Sequence, residues 1–218
     1  MNPPAHVSRR QFIRLGTLGA SVAGVATAAN AKDGAAPELK PLLTPDLEFN
    51  DVSRGTPKPH SLKGDALITA RLTPETWRME ITADPFTSDV VKEPASLGKQ
   101  FTLGDGTALD FAALVELGKK HSVRFLKAFQ CLNIAAPLGQ GLWEGVPLRE
   151  VLRLCGPMRN VRRIYYWGFH NNDPKQLFQS SLSYTQAMET PPDELPAFLA
   201  YRLNGEPISL QRGGPVRM

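Results

Sequence analysis

The sequence predicts an α+β fold, and three observations carry that prediction. Apolar residues recur at two different periods along the chain, two-residue in WRMEI and helical in TALDFAALVELGKK. Turn residues interrupt the apolar runs at short intervals, so no element is long. The strand-like and helix-like runs also follow one another irregularly, unlike the regular strand–helix–strand series of a parallel sheet. At 218 residues and 42% hydrophobic, the chain can bury one sizeable core.

Residues 1–31 stand apart from that core. They contain Arg9, Arg10 and Arg14 and no acid, leaving 22 basic and 21 acidic residues in the rest of the chain. The net charge of +4 is therefore mostly a property of the N-terminus, and nothing in the remainder calls for a nucleic-acid partner. Paired arginines, then Phe12 and Ile13, a Gly/Ala-rich apolar stretch and Ala29-Asn30-Ala31 make up a charged region, an apolar core and a cleavage site. The pattern resembles a twin-arginine export signal, which implies handling by the twin-arginine machinery and a periplasmic or otherwise exported protein. Residues 32–48 are Pro-rich and read as a linker or extended arm, leaving 49–218 as the domain.

Within 49–218 the elements follow in order. FNDVSRGTPKPHSLKGD is a loop dense in turn residues. Trp77–Ile81 alternates apolar and charged residues as a half-buried strand does. TALDFAALVELGKK places Leu109, Ala112, Ala113 and Leu117 at helical spacing, with Asp110 near the start and lysines at the end, which suits the helix dipole. VRFLKAFQC is a strand that ends on Cys131, and the Gly/Pro/Trp-rich stretch after it reads as a turn region. PLREVLRLCG is a short amphipathic helix closed by Gly156-Pro157, with Leu148, Val151, Leu152 and Cys155 on one face. VRRIYYWGF is strongly strand-forming, HNNDPKQ is a loop, and Ser183 is placed to cap a short helix in SLSYTQAME. FLAYRLNGEPI reads as two extended runs about the hairpin dipeptide Asn204-Gly205.

Chemistry narrows to few residues. The chain lacks a phosphate-cradling GxxxxGK[ST], a GxSxG, an HExxH and a CxxC, and its histidines, His6, His60, His121 and His170, share no metal-ligand spacing. His121 follows two lysines at a helix end and suits solvent, while His60 in its Pro-rich loop faces either a pocket or water. The two cysteines differ. Cys155 reads as a small core residue, whereas Cys131 is either a buried structural thiol or a metal-binding thiolate. A disulfide between them is a third possibility in an exported protein.

RFLKAFQC, GLWEGVPLREVLRLCGP, VRRIYYWGFH and AYRLNGEPISLQRGGPVR, in this order from residue 124 to 217, resemble the molybdopterin-binding domain of the sulfite oxidase family. The segments W-x-G-x-P-L-x-x-V-L and L-N-G-x-P-x-x-x-x-x-G-G-P-V-R are specific as an ordered pair. Weaker similarity reaches back through ETWRMEI to Asn50. The resemblance implies a mixed sheet and a molybdenum–molybdopterin cofactor. In the family, one cysteine after an apolar strand gives a thiolate to the metal, and Cys131 matches that position. A soft anionic ligand suits a redox metal otherwise held by the two dithiolene sulfurs of the pterin. The family also uses the arginine closing GGPVR and the residue five before it to hold the pterin's phosphate and ring edge, which maps onto Arg217 and Arg212. Asn50, Ser53 and Arg54 fall where further cofactor contacts are made, and His170 stands near another.

The departures from the family also matter. Leu132-Asn133-Ile134-Ala135-Ala136 replaces the arginine-bearing continuation of sulfite oxidases. The sequence ends at Met218, where family members continue into a strand and a Gly/Lys loop, which implies a domain truncated at its C-terminus. No haem-attachment CxxCH is present, so the resemblance implies a separate electron-transfer protein, a cytochrome or a membrane haem subunit. Oxygen-atom transfer on a small sulfur oxyanion or sulfoxide is the implied activity. A truncated, non-catalytic binding module that keeps the fold without the cofactor is the alternative.

Overall fold

The computed structural model describes residues 40–218 except 52, 54, 85, 87–89, 131–136, 170–177 and 192–193. The export signal, Arg54, Cys131 and His170 therefore lie outside the described residues. The described ones belong to one compact unit, Leu39–Met218. No helix among them is long and apolar enough to cross a membrane.

The elements run α1 (Asp65–Thr69), β1 (Arg78–Met79), β2 (Ser96–Leu97), β3 (Leu109–Asp110), α2 (Phe111–His121), β4 (Val123–Phe129), β5 (Gly139–Pro147), α3 (Leu148–Arg153), β6 (Met158–Arg159), β7 (Arg163–Gly168), β8 (Phe178–Ser183), α4 (Tyr184–Met188), β9 (Phe198–Leu203) and β10 (Glu206–Pro207). The organising sheet has the order β10-β9-β5-β4, flanked by the pairs β1-β3, β2-β6 and β7-β8. The α+β class stands. The mixed sheet does not appear among the described residues, where every pairing is antiparallel. β9 reaches β5 only after the chain has gone out through α3, β7, β8 and α4 and returned, so it arrives running the opposite way.

The largest correction concerns β5. Gly139–Pro147 is the long central strand, not a turn region. Its glycines mark places where a neighbour occupies the side-chain space. The Phe49 ring lies over Gly139, Leu203 over Gly141, and the Leu199 carbonyl against Gly145. At Gly145 the pairing with β9 shifts register, leaving Tyr201 as the extra residue of a bulge. The shift lets Leu199 and Tyr201 face one core cluster while Ala200 and Leu203 face the other.

Those two clusters cover the two faces of the sheet. Trp143, Phe49, Leu138 and Ile208 pack on one face, and Val146, Leu109, Leu114 and Val151 on the other. Each buried Leu or Val contributes about 1.5–3 kcal/mol. Asp110, expected only to suit the dipole at the start of α2, is its N-cap, the carboxylate accepting from the Ala113 N–H at 2.7 Å. The buried face of α2 differs from the one expected: Leu114 and Gly118 are buried, while Ala112 and Ala113 are exposed. Gly118 sets that orientation, because a side chain there would strike the Tyr201 hydroxyl. His121 is partnered rather than purely solvated, with Nδ1 3.8 Å from Glu150 Oε2 on α3.

β1 is shorter than the predicted Trp77–Ile81 strand, because β3 turns at once into α2; Ile81 pairs separately with Phe101. Leu148, Val151, Leu152 and Cys155 are all buried, as the helical spacing requires. Cys155 is a free thiol, and burial pushes its pKa up, which keeps it protonated and inert. Ser183 caps α4 through a reciprocal capping box with Gln186. β8 was not anticipated: FQSSLS has weak strand propensity and is held extended by pairing with β7. Asn204 and Gly205 have φ of 55° and 88°, the pair of positive values a tight hairpin between β9 and β10 requires.

Candidate functional site

The site is built around the turn Leu210–Arg212 and the segment after it. The Arg212 N–H donates to the Ser209 carbonyl at 2.9 Å, and the Gly214 N–H donates to the same oxygen at 2.9 Å. Gly213 closes the turn in the left-handed region at φ 86°, and a side chain there would fall on the Arg217 guanidinium. Arg217 is anchored by its backbone, bridging Ala200 of β9 through N–H···O bonds of 2.6 and 2.9 Å.

This backbone brings the two predicted arginines together. Arg217 Nη1 donates to the Arg212 carbonyl at 2.9 Å, and its guanidinium lies 3.8 Å from the centroid of the Phe129 ring at the end of β4. Arg212 is 4% exposed and stacks over Phe49 at 4.8 Å. Its Nη2 donates to the Asp46 carbonyl at 2.8 Å and approaches Asp46 Oδ1 at 3.3 Å. Its Nε is buried and has no hydrogen-bond partner among the described residues. The counter-charge is weak, since the Asp46 side chain is 88% exposed and screened by solvent. A buried guanidinium with one idle donor and a solvated counter-ion is arranged to take an anion.

The loop after Phe49 borders this turn. The Asn50 N–H donates to the Leu138 carbonyl at 2.7 Å, so the predicted residue is held at the mouth of β5 by its backbone. Ser53 donates to Asp51 Oδ1 through its N–H at 2.8 Å and its hydroxyl at 2.5 Å. With that proton committed, Ser53 Oγ is left to accept from His60 Nδ1, 3.1 Å away, which makes Nδ1 the donor of this pair. Lys58 Nζ lies 2.8 Å from Asp51 Oδ2. The Pro59–Ser61 turn that carries His60 packs against Leu210–Arg212.

Burial alone would raise the Asp51 carboxyl, but the bonds from Lys58 and Ser53 outweigh it and hold the pKa at about 2, against an ordinary 3.8. Because the folded value is the lower one, this clasp stabilises fully above the ordinary carboxylate range and is lost as pH falls through about 2. Wild type should therefore exceed D51N by about 1 kcal/mol at neutral pH, with the two converging in acid. Denaturant melts at a series of pH values measure this, and a pH-independent gap would contradict it.

Of the predicted residues, Asn50, Ser53, Arg212 and Arg217 are described. The structure joins the two arginines to each other and sets the Asn50–Ser53 loop beside them. Asp51, His60 and the two stacking phenylalanines were missed. Phe129 was legible as the last apolar residue of the strand leading to Cys131, whereas the Asp51–His60 relay crosses a loop with no periodicity to betray it. A cleft of about 470 Å³ opens nearby between Leu42–Pro45 and Pro137–Gln140, but neither arginine lines it. The charged turn, not that cleft, holds the groups with chemistry. Among the described residues no cluster of His, Cys, Asp and Glu could hold a metal by itself.

Comparison with known proteins gives three findings. A family model described as oxidoreductase molybdopterin binding domain matches residues 108–218. Nitrate reductase [NADH] 2 of Phaseolus vulgaris is 34% identical over 152 residues, covering 66% of this chain and 16% of that protein. Inducible nitrate reductase [NADH] 1 of Glycine max is 33% identical over 89 residues, covering 38% of this chain and 10% of that protein. The chain thus spans a small fraction of the relatives it matches. Among solved structures, the sulfane dehydrogenase SoxCD from Paracoccus pantotrophus aligns with a TM-score of 0.48 and 15% identity, covering 89% of this chain and 51% of that one.

Proposed function

Since the chain belongs to the oxidoreductase molybdopterin-binding domain family, whose cofactor is a molybdopterin, we propose that Arg212 and Arg217 hold the pterin's phosphate and that the domain is an exported oxygen-atom-transfer oxidoreductase. The observation that carries this reading is Arg212, a buried guanidinium with an idle Nε and only a solvated carboxylate opposite. Phosphate supplies what that environment lacks, an anion with several acceptor oxygens. Phe49 and Phe129 hold the two guanidiniums in place by stacking, so little side-chain entropy is lost on binding.

When bound, the cofactor supplies a redox metal able to exchange an oxygen atom with substrate. The chain's contribution is to bind and orient it. Cys131 gives the metal its protein thiolate, and Asn50, Ser53, Arg54 and His170 complete the contacts along the pterin. His60 donates through Nδ1 to Ser53 and so steadies the loop packed against the Leu210–Arg212 turn. The substrate is a small sulfur oxyanion or sulfoxide. Electrons pass to or from a separate redox protein, and the N-terminal signal sends the folded chain through the twin-arginine machinery.

The test is metal and pterin content, measured on protein from a host that makes the cofactor. Wild type should carry close to one molybdenum and one pterin per chain. R212A removes a charge-assisted hold of about 2–3 kcal/mol, so cofactor affinity should fall roughly 30- to 150-fold. R212K restores charge without the fork and should recover only part of the loss. Folded wild-type protein that takes up neither metal nor pterin would overturn the reading and favour a binding module without cofactor.

A further inference from the structure

We propose that one face of the β7–β8 ribbon docks an acidic protein, which, on the reading above, is the redox partner. Residues alternate across this ribbon. Ile164 and Leu182 face inward onto the cluster around Leu148, Leu152 and Ala187. Arg163, Tyr165 and Trp167 point the other way, opposite Ser183, Ser181 and Gln179 respectively. Tyr165 is 57% exposed and Trp167 62% exposed, so this aromatic pair carries little of the fold's burial.

Three features give the face its partner. Arg, Tyr and Trp are the residue types most enriched where binding energy concentrates, and here they stand in one row. Arg163 is held flat across the ribbon, its Nη1 donating to Ser181 Oγ at 2.9 Å, so its orientation is set before any partner arrives. None of the six facing residues is a carboxylate, and Arg159 and Arg162, both exposed, add further positive charge beside the ribbon. A row of aromatic and cationic side chains is complementary to a carboxylate-rimmed apolar patch. A ribbon six residues long is about 20 Å, the scale of a transient electron-transfer contact, not of a permanent interface.

The test titrates the full chain with two purified small c-type cytochromes of opposite net charge, by calorimetry at low and moderate salt. The acidic cytochrome should bind, with affinity falling as salt rises, and the basic one should not. W167S and R163E should each weaken the acidic complex at least about tenfold. Both positions are exposed, so circular dichroism should be unchanged. The proposal is overturned if the acidic cytochrome fails to bind wild type, or binds both variants as tightly. It is equally overturned if phosphatidylglycerol vesicles, and not the cytochrome, occupy the face in a W167S-sensitive manner. Molybdenum is measured on the same samples. Lost docking with metal present rejects this face alone, whereas absent metal with docking intact rejects the cofactor reading.

Discussion

Replacing Cys131 by serine is expected to leave molybdenum on the protein and abolish turnover. On the proposed assignment the pterin's two dithiolene sulfurs would still hold the metal, so content should change little. What is lost is a soft anionic donor, replaced by a hydroxyl that stays protonated and binds a redox metal poorly. A loss on the order of a thousandfold, about 4 kcal/mol, is the scale for removing such a group. X-ray absorption gives the independent readout: the variant should show one sulfur ligand fewer than wild type. Cys131 is the proposed ligand by its place in the sequence. β4 delivers the chain to Phe129, directly beneath the Arg217 guanidinium, two residues before Cys131. An unchanged sulfur count with full turnover would show that the ligand lies elsewhere.

The second large effect concerns stability. G145A should destabilise the domain by at least about 3 kcal/mol, because the added methyl meets backbone and not a movable side chain. A Cβ at Gly145 would collide with the Leu199 carbonyl and lie 2.6 Å from Ala200 Cα, at the bulge where β5 and β9 change register. Backbone in the middle of a sheet cannot yield without breaking the ladder on both sides. G104A is the matched control: nothing lies within 4 Å of its Cβ, so its effect should stay within about 0.5 kcal/mol. Denaturant midpoints compare the two directly. Equal midpoints would mean the bulge can slide, and the assignment of Tyr201 as its extra residue would be wrong.

How much of this was legible depended on which rule governed each segment. Elements with local signals were readable. Asp110 at the start of α2, Ser183 as a cap, Asn204-Gly205 as a hairpin and the buried face of α3 all follow from chemistry within a few residues. β5 was misread because its glycines looked like turn formers, when they are absences demanded by Phe49, Leu203 and Leu199 from distant parts of the chain. The buried face of α2 shifted for the same reason, since a tyrosine on β9 chose Gly118 as its seat. At the site, Arg212 and Arg217 were found through an ordered motif. The burial of Arg212, the stacking of both arginines on two phenylalanines and the Asp51–Ser53–His60 relay depend on contacts that no local pattern encodes.

The hydrogen bond from Arg212 to Asp46 joins residues 166 positions apart. Closing a loop of that length costs entropy that local contacts cannot repay in advance, so it forms late, after the sheet between its ends exists. The anion site therefore cannot assemble on a partly made chain. Asp46 precedes every strand of the sheet in the sequence and Arg212 follows every one, so the two meet only once the strands between them are in place. On the proposed function, only a chain that has completed its sheet presents the paired guanidiniums to a pterin phosphate.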